Sequence, residues 1–92
     1  MENTFIISYD VCADGTSTSV YNSLYETIKS YGTWAHITES CWAVVTEESA
    51  TMVRDKLSKA LRVNDRLMVV QSAHIAAWSN TICKNDWLQS NL

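Results

Sequence analysis

A chain of 92 residues, 47% of them hydrophobic, has room for one folded core and not for two. Two glycines and no proline exclude a loop-rich or low-complexity chain, and no apolar run reaches the roughly 18–20 residues of a membrane span. The net charge of -3 and a pI of about 5.1 weigh against nucleic-acid binding, which needs a basic patch.

The first element is a strand. Phe5, Ile7, Tyr9 and Val11 alternate with Thr4, Ile6, Ser8 and Asp10. Turn residues and helix-capping candidates follow over Ala13–Ser17. Val20, Leu24, Ile28 and Tyr31 then recur at helical spacing, and Gly32 stands where a left-handed cap would close the helix, which predicts a helix over 17–31. Between Thr33 and Thr46 the period is two again. It predicts two strands joined near Glu39–Cys41, by a tight turn or by a bulged continuation.

Ser49 precedes an apolar face of Ala50, Val53, Leu57, Ala60 and Leu61, with Lys56, Lys59 and Arg62 suited to the negative end of the dipole; this predicts a helix over 49–62. After a turn at 63–65, Leu67-Met68-Val69-Val70 is a short apolar run suited to a buried strand over 66–72. The predicted order is strand, helix, strand, strand, helix, strand. That is the split β-α-β, ferredoxin-like α+β plan: a four-stranded antiparallel sheet with two helices on one face.

Residues 1–72 make this domain, and 73–92 form a C-terminal extension in which Asn85-Asp86-Trp87-Leu88 can start a short helix. Trp78 and Trp87 are too apolar to leave in water and are expected to dock on the domain or on a second copy. The sheet face away from the helices carries Thr4, Ile6, Ser8 and Asp10. Ile6, Ser8, Trp78 and Trp87 are therefore the expected interface residues of a homodimer, which would cover that face and pair an exposed edge strand.

Among groups that carry chemistry, Asp10 closes the first strand, where a carboxylate can hold a divalent metal or accept hydrogen bonds from the next turn. His36 and His74 have no motif neighbours and read as polar residues of the open sheet face. Glu39-Ser40-Cys41-Trp42 lacks the elbow of a serine nucleophile. Cys12, Cys41 and Cys83 are odd in number with no C-x-x-C spacing, and no basic signal-peptide start is present. Reduced thiols and a cytoplasmic location are expected.

Several strings together carry a family likeness: Ser8-Tyr9-Asp10, Lys29-Ser30-Tyr31-Gly32, Trp34-Ala35-His36, Glu39-Ser40-Cys41-Trp42, Arg54-Asp55-Lys56-Leu57, Asp65-Arg66-Leu67 and Ala76-Ala77-Trp78. Over nearly its whole length the chain resembles the short bacterial and phage proteins labelled SinR-like. More distantly it is similar to the small CRISPR-associated adaptation subunit and to VapD-type toxins. The resemblance implies a ferredoxin-like homodimer. It also implies a metal-dependent nuclease site at the dimer interface, with Tyr9 and Asp10 as catalytic residues and Asp10 as the ligand of a Mg2+ ion. Cys12, Ala13 and Asp14 stand where those families carry basic residues. The expectation is a homodimeric interaction or accessory protein of mobile-element or phage type, without catalysis or cofactor. The alternative is a toxin-like, metal-dependent ribonuclease or deoxyribonuclease using Asp10.

Overall fold

Alternation along the first strand decides the architecture. β1 spans Asn3–Asp10, and Phe5, Ile7 and Tyr9 occupy one face while Thr4, Ile6 and Ser8 occupy the other. In the computed structural model, which describes residues 1–92, there follow α1 (Ser17–Lys29), β2 (Trp34–Thr38), β3 (Cys41–Thr46), α2 (Ala50–Ser58), β4 (Arg66–Gln71) and α3 (Asn85–Asn91). The strands form one antiparallel sheet in the order β2-β3-β1-β4. β1 and β3 are central; β2 and β4 are its edges.

Both helices α1 and α2 lie on the face of Phe5, Ile7 and Tyr9. Val20, Leu24 and Ile28 of α1, with Val53 and Leu57 of α2, close over these residues and over Trp42 and Val44 of β3. Fully burying each large aliphatic or aromatic side chain stabilises the fold by about 1.5–3 kcal/mol, so this layer dominates stability. Gly32, at φ 85°, takes the left-handed turn that leads from α1 into β2. Ser49 caps α2 by accepting the Met52 N–H at 3.2 Å. α2 ends at Ser58, short of the expected Arg62. The Arg62 N–H is instead taken by the Asp65 carboxylate at 2.8 Å, which commits that residue to the following loop.

The turn between β2 and β3 combines the two readings of the sequence. Glu39 and Ser40 are its only loop residues, and the register shifts between His36 and Thr38, which marks a bulge. His36 does not lie on the open face. It is paired across the strands with Trp42, on the helix side, and its ring stacks on that indole at 4.1 Å between centroids. The bulge leaves His36 Nε2–H able to donate to the Glu39 carbonyl at 3.1 Å.

The second face is closed in part by the chain's own C-terminal segment. Leu88 of α3 is fully buried against Ala35, Ile37 and Ala43, with Trp78, Cys83, Trp87 and Leu92 packed around them. Thr4, expected on an open face, is buried there, and its hydroxyl donates to the Asn91 carbonyl at 2.6 Å. The segment covers the β2–β3–β1 side and leaves β4 bare. β4 is therefore not the buried strand its apolar run suggested: Met68 is 58% and Val70 43% exposed.

Candidate functional site

The end of β1 sends its last two residues to different places. Tyr9 is buried among Tyr21, Tyr25 and Trp42. Its hydroxyl accepts the Trp42 Nε1–H at 3.0 Å and donates to the Glu39 carbonyl at 3.1 Å. Burial, with the Tyr25 hydroxyl close by, pushes the phenol well above its usual pKa. Tyr9 is thus a neutral brace between β1, α1 and the β2–β3 turn. Asp10 is 71% exposed, and its carboxylate meets Arg66, its cross-strand neighbour on β4, at 3.3 Å. The two residues do not converge on one site. No group of three or more His, Cys, Asp or Glu side chains is arranged to hold a metal.

Immediately beyond β1, the loops before α1 and before β4 are fastened to each other. Arg62 binds both Asp14 oxygens at 2.7 Å, Asp65 at 3.1 Å and the Cys12 carbonyl at 2.7 Å. The Asp65 side chain, shielded from solvent, also accepts the backbone N–H of Cys12 and of Arg62. The Arg62 guanidinium lowers the pKa of both carboxyls to about 2, helped at Asp14 by Thr16 and at Asp65 by those backbone donors. Cys12 donates its thiol to the Asn64 carbonyl at 3.2 Å. The set of charges is internally satisfied, and it fixes the ends of β1 and β4 side by side.

The four residues expected at an interface divide between two environments. Trp78 and Trp87 dock on the second face of their own chain, where the Trp78 indole donates to Asn85 at 3.1 Å. Ile6 is half-buried at the margin of that packing. Ser8 is half-buried on β1 and sits opposite Met68 of β4.

The bare part of the molecule is the outer side of β4, which sequence reasoning did not single out. The Ser72 N–H donates to the Thr4 carbonyl at 2.8 Å, which sets the phase of the β1–β4 ladder. Hydrogen bonding alternates along an antiparallel pair. Met68 and Val70 therefore turn their backbone groups toward β1, and Leu67, Val69 and Gln71 turn theirs outward. No strand pairs with that side. On the face opposite the helices, exposed Met68 and Val70 continue the apolar line from Ile6. The signal available in the sequence was position: the last strand of this topology is an edge, whatever its hydrophobicity.

No protein-family model matches the chain, and no curated protein is significantly similar to it.

Proposed function

We propose that the protein is a homodimeric interaction module on a ferredoxin-like scaffold, an accessory protein of mobile-element or phage type rather than a catalyst. The observation that supports this reading is the open outer edge of β4 with exposed Met68 and Val70 beside it. An unprotected apolar edge strand is a template for another strand. A second copy of the same strand is the partner that fits. Around a two-fold axis through Val69, each Leu67 faces the second copy's Gln71 and each Met68 faces the second copy's Val70. The outward groups of Leu67, Val69 and Gln71 then form about six hydrogen bonds, and the apolar side chains meet on one face. Shifting the axis to Met68 would instead set Val70 against Arg66.

This arrangement separates the two Asp10 carboxylates. Each lies opposite Arg66, three residues from the axis and one strand further out. Strand rise and spacing put them about 25 Å apart, too far to share a metal. The nuclease reading requires a different interface.

The register gives the test. Met68→Cys and Val70→Cys proteins, each with the native cysteines replaced by serine, are oxidised alone and as a mixture. A disulfide dimer is expected in the mixture and not in either protein alone, because only unlike positions face each other. A Met68→Cys homodimer disulfide would move the axis to Met68. A monomer by light scattering at high concentration would overturn the reading.

A further inference from the structure

A second feature sits at the opposite edge of the sheet. The Val45 N–H donates to the Thr33 carbonyl at 3.0 Å, so the alternation along β2 turns the backbone groups of Trp34 and His36 away from β3. No strand pairs with that side of β2. Past His36 the edge is already in use, because the Ile82 N–H of the returning tail donates to the Ile37 carbonyl at 2.9 Å. Beside that bond lies a groove of about 450 Å³, with Trp34, Ala35 and His36 on its strand side and Ile82, Cys83 and Trp87 on its tail side. Its exposed lining is almost wholly apolar.

Two independent observations describe what would fill it. The first concerns the backbone. Unpaired N–H and C=O groups two residues apart match the main chain of another extended segment, which repeats at the same spacing. An antiparallel segment sets one residue against Trp34 and the next but one against His36, forming about four hydrogen bonds. The Ile82–Ile37 bond is continuous with this line, so the added segment prolongs a contact that the chain makes with itself. The second concerns the side chain between those two residues. It lies opposite Ala35, whose own side chain belongs to the face covered by the tail. It therefore points into the groove beside Ile82, Cys83 and Trp87, where an apolar lining favours an aliphatic group over a charged one. The tail wall also selects against a second copy of the chain. Two copies pairing through β2 about a two-fold axis would set their walls against each other on the same face, whereas a single extended segment brings no wall.

We propose that the β2 edge and its groove bind an extended segment of a partner protein by strand addition, with one aliphatic side chain seated opposite Ala35. This names a partner for the interaction module at an edge remote from β4, and it does not depend on dimerisation there. The experiment is a titration of the full chain with the peptide acetyl-Thr-Thr-Leu-Thr-Thr-amide, followed by backbone amide resonances and their solvent exchange. One control carries N-methyl groups on the two threonines flanking the leucine, which removes the donors and keeps the side chains. The other has aspartate in place of leucine. The Trp34 and His36 amides are expected to gain protection, while those of Leu67, Val69 and Gln71 on the β4 edge stay unchanged. Each control peptide is expected to bind about tenfold more weakly. Ile82→Asp, at a side chain 59% exposed and with its backbone bond untouched, is expected to weaken the parent peptide by about the same factor. Absence of any response at millimolar peptide overturns the proposal and leaves the β4 dimer, read by its own disulfides, standing or falling separately. Equal binding of the N-methylated peptide overturns strand addition. Protection at Leu67, Val69 and Gln71 instead of Trp34 and His36, or unchanged affinity in Ile82→Asp, overturns the site.

Discussion

The two faces of the sheet are closed by different means. On one side, two amphipathic helices hold a cluster of 11 buried residues; on the other, an irregular segment and one short helix hold a cluster of four. The helical side is fixed by periodicity, since its residues recur wherever the helix returns to the sheet. The other side depends on a few long-range anchors: Leu88 in its socket, the Thr4–Asn91 hydrogen bond and the Ile82–Ile37 backbone bond. A face held by few anchors can open without the rest of the domain unfolding.

Core truncation breaks the comparison most severely. Phe5→Ala removes a ring that is almost completely buried under both helices and is expected to cost about 3–5 kcal/mol, enough to unfold much of the population of so small a domain. Leu88→Ala is expected to cost about 2–4 kcal/mol, and in a different manner. Hydrogen exchange distinguishes the two. In Leu88→Ala the amides of α3 lose protection while those of β1 keep most of theirs. In Phe5→Ala protection falls everywhere. Uniform loss in Leu88→Ala would show that the two faces fold as one unit.

Acid sharpens the comparison, because the fastening between the loops belongs to neither face. Asp14 and Asp65 titrate near pH 2, below the ordinary carboxyl value of 3.8. A carboxyl depressed by folding stabilises the folded state above its unfolded pKa, and that contribution is lost as pH falls toward the folded pKa. Stability is therefore expected to decline between about pH 4 and pH 2 as these groups take up protons. Asp14→Asn with Asp65→Asn should lower the urea midpoint at pH 7 and flatten its fall across that interval. An equally steep fall in the double variant would assign acid sensitivity to other carboxyls.

Much of the helical side was legible in the sequence. Val20, Leu24 and Ile28, and Val53 and Leu57, lie at helical spacing, and Phe5, Ile7 and Tyr9 at strand spacing; all are buried. Local periodicity is set by local geometry, so it can be read from neighbours. What failed was non-local. His36 has a polar side chain but stacks on Trp42 under the helices' margin, because cross-strand register, not polarity, chose its face. Leu67-Met68-Val69-Val70 is apolar enough for a central strand, yet edge position and the reach of the tail leave half of it exposed. Trp34 and Trp87 are 53 positions apart and line one groove of about 450 Å³ at the β2 edge only because the tail returns to β2. The open edge and the groove arise from the same event, the partial coverage of a face by a segment without a period.

The smallest expected effect is at the residue that drew most interest in the sequence. Asp10 and Arg66 pair at 3.3 Å on the surface, with side chains 71% and 83% exposed. Solvent screens such a pair, and holding two mobile side chains together offsets much of the attraction, so its contribution is about 0–1 kcal/mol. Asp10→Asn keeps the shape, removes the charge and leaves the backbone bonds to β4 intact. It is expected to shift the urea midpoint by less than Phe5→Ala, Leu88→Ala or the double aspartate variant. The same variant bears on chemistry. Purified protein is incubated with RNA or DNA and magnesium or manganese, beside Asp10→Asn. Cleavage by the parent that disappears in a fully folded Asp10→Asn protein would make the end of β1 a catalytic site and place the nuclease reading above the interaction module. Equal behaviour of the two proteins is the expected result, because the nearest charged neighbour of Asp10 is a cation that already occupies its carboxylate.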